Sequence, residues 1–356
     1  MIPIKSVLFI PVSSPSGIGE YMRSMIIANA LKKQWPDVKI HFILNKQVNY
    51  FSSCPYTVHG CDNSPTKAVK VVNSIITMIR PDLVIFDASG RATQFAQAKA
   101  VGAKVAFISQ HNKKRDRGLK LNRLVNTDIH WVAQPDYCMK PLSFWQRSKL
   151  NFFNKLPPKN IGTVFELENK KYQQQLLKRF NLEPRQYILF NAGSGGHRVN
   201  KGLAALLYFE VAQIIATQYS IKCIMVFGDN YPVKTPSSND VICIKNTSNP
   251  DFISLLANAM MCVISAGDTL LQCIALQKLC VAAAVSPDQP NRLKLCQDQQ
   301  WVQPAEANKQ SLITQIQMLL NDKKSRINEK LLPNYNTDNG LETIKKDIDL
   351  LFKPSH

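Results

Sequence analysis

Along its first hundred residues the chain alternates between short, uninterrupted apolar runs and longer stretches in which apolar positions recur every three or four residues. The runs at 6–12 (SVLFIPV), 38–44, 83–86 and 104–108 have the length and continuity of strands buried on both faces. Between them, 20–34 places Met22, Met25, Ile26, Ala30 and Leu31 on one helical face. Further helices are expected from near Pro65 to Arg80 and over 93–101. Pro36-Asp37, Arg80-Pro81 and Gly102 mark the changes of period. From 142 to about 168 the rhythm is lost, and Pro157-Pro158 among several lysines reads as a connection between domains. A second series follows, with strands at 187–191, 221–227, 241–244, 261–264 and 280–285. Its helices fall at 203–217, 250–259, 269–276, 290–297 and 311–320, and an amphipathic helix at 342–352 comes last.

Strand–helix alternation of this kind specifies a mostly parallel sheet with helices on both faces. At 356 residues the chain exceeds what one core supports. The expected architecture is therefore α/β, with two Rossmann-like, doubly wound domains facing across a cleft. Residues 1–160 form the first, 161–335 the second, and 336–356 a terminal helix packing back on the first. In open parallel sheets ligands sit beyond the carboxyl ends of the strands, so the loops at those ends carry the candidate chemistry.

Three such loops stand out. Ser13-Ser14-Pro15-Ser16-Gly17-Ile18-Gly19-Glu20 follows the first strand, and its glycines allow a tight turn into a helix. Ser16, Gly17 and Gly19 are candidate ligand contacts, and Glu20 at the helix start can accept a proton from a hydroxyl. The same position equally suits an acid that only offsets the helix dipole. Asn191-Ala192-Gly193-Ser194-Gly195-Gly196-His197-Arg198-Val199-Asn200-Lys201-Gly202 opens the second domain. Gly193, Ser194, Gly195 and Gly196 with the cations Arg198 and Lys201 form a candidate diphosphate cradle, without the G-K-[ST] of a P-loop. Ser265-Ala266-Gly267-Asp268-Thr269 is a third strand–Gly turn–helix, where Gly267, Asp268 and Thr269 either bind a phosphate or simply cap the helix. Ser286-Pro287-Asp288-Gln289-Pro290-Asn291 lines the same edge.

Charge adds one constraint. A formal charge of +19 points to anionic partners and says nothing about fold. The densest basic run, His111 to Arg117 with Lys120 and Arg123, reads as a solvated loop or as a contact for an anionic acceptor, lipid headgroups or nucleic acid. Trp35, Trp131, Trp145 and Trp301 do not interleave with basic clusters, which disfavours a nucleic-acid platform. Nine scattered cysteines without C-x-x-C pairs disfavour a disulfide framework and fit a reducing compartment. Six dispersed histidines give no metal spacing, and Asp347-Ile348-Asp349 reads as surface charge. The first apolar run is too short for a signal segment and no run is long enough to span a bilayer. A cytoplasmic protein, able to rest on a membrane, is the expectation.

The run VLFIPVSSPSGIGEYMRSMIIANALKKQWPDVKIHFIL resembles the opening of bacterial ADP-heptose heptosyltransferases. There a strand leads into a Ser-Ser-Leu-Gly-Asp type loop and a helix ending in F-P-x-A-x-I. The segment SAGDTLLQCIALQKLCVAAAVSPDQPN is similar to their G-D-T-x-x-x-x-x-A segment. It is equally similar to the G-x-S/T-x-x-E-x-x-A-L…D-x-Q segment of the peptidoglycan N-acetylglucosaminyltransferase and of the related UDP-sugar hydrolase. The resemblance implies the GT-B architecture, with the first domain binding an acceptor and the second a nucleotide-sugar donor. It puts Glu20 in the place of a proposed acid/base Asp, Gln272 in that of a ribose-binding Glu, and Gln289 in that of a donor-site Gln. Cys273 stands where the heptosyltransferases carry a His, and Gln277-Lys278-Leu279 replaces their Gly-Pro pair.

The implied activity is metal-independent glycosyl transfer from a nucleoside diphosphate sugar, with no other cofactor. The acceptor would be an anionic glycan or lipid-linked hydroxyl in cell-envelope or lipopolysaccharide synthesis, with peripheral contact to the inner membrane. A nucleotide-sugar hydrolase or 2-epimerase on the same fold, and a basic RNA-binding module, are the alternatives.

Overall fold

The computed structural model describes residues 4–12, 18–321 and 339–353. They divide into two compact units, one drawn from Met1–Val164 with Asp338–His356 and the other from Phe165–Thr337.

The first unit begins with β1 (Ser6–Pro11), α1 (Gly19–Gln34), β2 (Lys39–Asn45), β3 (Thr57–Cys61) and α2 (Val69–Ile79). It continues with β4 (Leu83–Asp87), α3 (Ala92–Ala100), β5 (Lys104–Ser109), α4 (Asn112–Gly118) and α5 (Leu121–Leu124). β6 (Ile129–Val132), α6 (Phe144–Phe152) and β7 (Lys159–Asn160) complete the sheet, which is parallel throughout in the order β3-β2-β1-β4-β5-β6-β7. Successive side chains of a strand point to opposite faces. Val7 and Phe9 accordingly enter one core with Phe42, Ile85 and the helix α1, while Leu8 and Ile10 enter another with Phe86, Phe95 and Ile76. Burial on both faces is why these strands read as unbroken apolar runs. The helix α1 is not amphipathic in the expected way: Tyr21, Arg23, Ser24, Ile27 and Ala28 are buried besides Ile26, Ala30 and Leu31, whereas Met22 and Met25 are only half-buried.

Ile161 and Val164 belong to this first core, so the unit runs a few residues beyond 160. The second unit starts with α7 (Lys170–Arg179), β8 (Tyr187–Asn191), the small antiparallel pair β9 (Arg198–Val199) and β10 (Gly202–Leu203), and α8 (Ala204–Tyr219). Then come β11 (Lys222–Val226), β12 (Val241–Ile244), α9 (Asn249–Asn258), β13 (Met261–Ser265), α10 (Asp268–Ala275) and β14 (Cys280–Ala283). It ends with α11 (Pro290–Asp298), β15 (Gln303–Ala305) and α12 (Lys309–Asn321). Its parallel sheet has the order β12-β11-β8-β13-β14-β15. Each unit thus runs outward from its first strand and then reverses to the other side, which puts a topological switch point between β1 and β4 and another between β8 and β13.

The last helix, α13 (Gly340–Leu351), returns to the first unit, where Leu341, Ile344 and Ile348 join the core. Asp347 and Asp349 are not surface charge, as the sequence suggested. Asp347 accepts from Trp131 Nε1 at 2.9 Å and pairs with Lys159 at 2.8 Å, and Asp349 accepts from Gln34 at 2.8 Å. They fasten the helix at both flanks of its apolar stripe. Among the described residues no helix is long and apolar enough to cross a membrane. All nine cysteines are free, and no group of three or more His, Cys, Asp or Glu among the described residues is placed to hold a metal ion.

Candidate functional site

Both switch points carry polar constellations. In the first unit, Glu20 occupies the first turn of α1, where its side chain is 16% exposed and pairs with Lys114 Nζ at 3.4 Å. Gly19 is exposed just before it, while Ser16 and Gly17 lie outside the described residues. One turn further along α1, Arg23 is buried and grips Asp87, the last residue of β4, with Nε at 2.9 Å from Oδ2 and an Nη at 2.5 Å from Oδ1. Ser24 Oγ lies 3.4 Å from the same carboxylate. Asp87 is fully buried, and desolvation pushes its carboxyl up to about 6 against the opposing pull of Arg23, with the negative Glu20 adding to the rise. Gln110, directly after β5, links the two acids. The amide orientation that satisfies both neighbours donates to Glu20 Oε1 at 3.1 Å and accepts from Arg23 at 3.1 and 2.9 Å.

The residue after Asp87 is held in a left-handed conformation. Ala88 has φ 53°, its N–H donates to Ile108 O at 2.8 Å, and the Ser89 hydroxyl donates to Ile10 O. Such backbone strain persists where the surroundings over-determine it. Sequence reasoning found Glu20 and named Lys114 only within a basic run; it missed Gln110, which with Lys114 holds the Glu20 carboxylate, and the Arg23–Asp87 pair behind it.

The basic run, read as a solvated loop or as a contact for an anionic partner, folds as α4 and α5. His111 caps α4, accepting from the Lys114 N–H at 3.4 Å. Two of the run's cations turn inward: Arg115 donates to Lys140 O at 2.5 Å, and Arg123 donates to Gly90 O at 2.5 Å while stacking over Phe95 and Phe107. Lys113, Arg117 and Lys120 remain exposed.

In the second unit the turn at 193–196 leaves β8 and rests on the turn after β11. A methyl group on Gly195 (φ 94°) would lie 2.4 Å from Phe227 O, and one on Gly228 (φ 96°) would lie 2.5 Å from Ser194 O. Neither position accepts a side chain without moving backbone. Asn230 N–H donates to Ser194 O at 2.8 Å, and the Asn191 side chain accepts from Gly193 N–H at 3.1 Å while donating to Val226 O at 2.9 Å. The turn is thereby rigid, with Gly196 exposed. Gly195→Ala is expected to lower stability by about 1–3 kcal/mol, read as a lower unfolding temperature; an unchanged temperature would show the turn to be adaptable.

Across from this turn stands Ser265, the last residue of β13. It is fully buried, its Oγ has no hydrogen-bond partner, and it lies 3.2 Å from where a Gly193 Cβ would be and 3.6 Å from a Gly267 Cβ. Gly267 itself occupies the cap position of α10. The suggestion that Asp268 or Thr269 caps this helix is corrected: no side chain does. Asp268 is exposed and pairs with Arg292 at 3.2 Å, and Thr269 is half-buried. Arg292 also donates to Ala266 O at 3.1 Å, so a half-screened guanidinium is anchored beside the free N–H groups of the α10 start.

Gln289 is buried and uses its Oε1 to accept from Val285 N–H at 2.8 Å, shaping its own loop. Its Nε2 is 3.5 Å from the Gly267 Cβ position. Asp288 is held below the usual carboxylate range by the Ser286 hydroxyl at 2.6 Å, helped by the positive Arg292 and by His197. Arg198 and Lys201 sit exposed on the β9–β10 hairpin, where Arg198 donates to Lys201 O at 3.2 Å. Gln272 is half-buried on α10. The structure therefore brings Gly193, Gly267, Gln289 and His197 around Ser265, and shows Arg292 as the anchored cation that sequence reasoning overlooked. Its only sequence signal is a place three residues beyond Gln289.

No family model matches the chain, and no curated protein matches it. Solved structures match along its whole length. The glycotransferase of kitacinnamycin aligns with a TM-score of 0.65 at 10% identity, over 99% of this chain and 100% of that one. The S. aureus MnaA–UDP co-structure aligns at 0.59 and 14% identity, over 99% of both chains. A putative UDP-N-acetylglucosamine 2-epimerase from Listeria monocytogenes aligns at 0.57 and 16% identity, over 100% of this chain and 98% of that one. These neighbours do not single out the heptosyltransferases. What they share with this chain is the GT-B fold of two Rossmann-like domains, on which both glycosyltransferases and UDP-N-acetylglucosamine 2-epimerases are built.

Proposed function

We propose that the chain is a glycosyltransferase that moves a sugar from a nucleoside diphosphate donor to a hydroxyl acceptor. The observation that carries this reading is Ser265: a fully buried hydroxyl without a partner, ringed by Gly193 and Gly267 at the second unit's switch point. A buried polar group left unpaired calls for a ligand to pair it. A diphosphate supplies acceptor oxygens for that hydroxyl, for the α10 amides and for Arg292. In the first unit Glu20, held by Lys114 and Gln110, takes the acceptor's proton. The acceptor oxygen then bonds to the anomeric carbon as the bond from that carbon to the diphosphate breaks, and the leaving group keeps the electron pair. Gly193, Ser194, Gly195, Gly196, Gly267, Thr269, Gln272 and Gln289 form the donor side in this reading, and Gly19 lies on the acceptor side. An acceptor belonging to a cell-envelope glycan or lipopolysaccharide remains part of the proposal.

A panel of UDP, ADP, GDP and CMP is expected to raise the unfolding temperature of the chain with one of them. At a ligand concentration of 100 times its Kd the stabilisation is about 2.7 kcal/mol, which is readily seen. No shift with any of the four, together with tight RNA binding, would sink the reading. A hydrolase or 2-epimerase is the second reading, favoured by the full-length likeness to a protein described as an epimerase. Rapid stoichiometric release of nucleotide, or sugar interconversion, in the absence of any acceptor would select it.

A further inference from the structure

The sequence from 137 to 165 contains Lys140, Arg147, Lys149, Lys155 and Lys159 and no acidic residue. Within it, α6 is anchored by one face only. Leu150 packs with Leu119 and Leu124 in a small satellite core, with Leu142 and Phe153 against it. The helix start is tied by a Ser143–Gln146 capping box, and Gln146 Nε2 reaches Asp116 at 3.0 Å. At 3.6 residues per turn, Phe144, Trp145 and Phe152 fall within an arc of about 100° that excludes Leu150. That arc is bare: Phe144 is 68% exposed, Trp145 78% and Phe152 81%, and Leu156 in the turn beyond the helix is 84% exposed. Three large apolar side chains left in water on a short, well-capped helix, with a fourth in the turn after it, mark an interaction surface.

We infer that α6 and the turn after it form a docking surface for an anionic lipid bilayer, with Phe144, Trp145, Phe152 and Leu156 entering the headgroup–acyl boundary. Charge complementarity selects this occupant. Lys140 and Arg147 are exposed beside the aromatic arc, and the neighbouring α4–α5 segment adds exposed Lys113, Arg117 and Lys120. A helix that presents Trp and Phe on one arc and Lys or Arg beside it lies in the plane of the interface, held by apolar burial and by attraction to anionic headgroups. Trp is especially suited to that boundary, with an apolar ring and an N–H that stays hydrated. None of the side chains proposed to enter the bilayer is assigned a part in the reaction, so the inference stands whether the chain transfers, hydrolyses or epimerises.

The test is co-sedimentation of the full chain with vesicles of phosphatidylcholine alone and of phosphatidylcholine with phosphatidylglycerol. Binding to the anionic vesicles that weakens as salt rises is expected, with a blue shift of tryptophan emission that is lost in Trp145→Phe. Trp145→Ser with Phe152→Ser should weaken partition at least about tenfold while leaving the unfolding temperature within experimental scatter, since both side chains are exposed. Three results overturn the inference: no binding to anionic vesicles, undiminished binding by the double variant, or a dimer in solution that the same two substitutions dissociate.

Discussion

Glu20→Gln is expected to lower turnover by about 100-fold or more, the range in which a positioned general base contributes, while nucleotide affinity stays unchanged within about twofold. The substitution keeps the shape of the side chain and its contact with Lys114 but removes the site for the proton. The measurement is nucleoside diphosphate release, with acceptor, from the nucleotide sugar that the thermal panel selects, set beside the Kd for the free nucleotide. Retained turnover would reduce Glu20 to an acid that offsets the α1 dipole. A parallel loss of nucleotide affinity would assign it to binding instead.

Arg23→Met is the second large effect, and it falls on stability. Asp87 has no exposed surface, and Arg23 supplies two of its side-chain hydrogen bonds, with Ser24 Oγ at 3.4 Å as the other side-chain partner among the described residues. Removing one partner of a buried pair leaves the other charge uncompensated and costs about 3–5 kcal/mol, on the order of a 10 °C fall in unfolding temperature for a unit of this size. The pH dependence follows from the raised carboxyl of Asp87. A folded-state value above the unfolded one favours the protonated form in the native state. Its stabilising contribution is therefore complete below the unfolded value and is lost as pH rises through about 6. The variant should accordingly be less impaired at pH 5 than at pH 8. Arg23→Met combined with Asp87→Leu should recover most of the loss, because an apolar pair of similar size needs no compensation. A single variant as stable as the parent at pH 8 would show that water reaches Asp87.

The parallel sheets were legible in the sequence because burial on both faces erases the alternation of polar residues and leaves runs such as LVIFD and MCVIS. The turns that follow β8 and β13 were legible because glycine is placed where the chain must turn sharply at the end of a strand. What escaped notice was either short or distant. The strand β3 is a half-exposed edge whose residues, TVHGC, carry no apolar run. The helices α4 and α6 are dominated by basic and aromatic residues, with too few buried positions to show a helical period. Arg23 and Asp87 look ordinary locally, one inside a helix and the other ending a strand; only the sheet order, with β4 beside β1, brings them together. Asp347 likewise acquires meaning through Trp131, which lies 216 residues away along the chain.

The discontinuity of the first unit bears on how the protein is made. Its amino-terminal sheet is synthesised early, yet Leu341, Ile344 and Ile348 of α13, which seal one face of that sheet, emerge only after the described elements of the second unit. The buried apolar residues described in the second unit lie between Phe165 and Leu320, so all of them emerge before α13. Order of emergence and order of completion are therefore reversed: the half begun first is finished second. Until the final helix arrives, the nascent chain carries an uncapped apolar face, the kind of surface that holdase chaperones recognise.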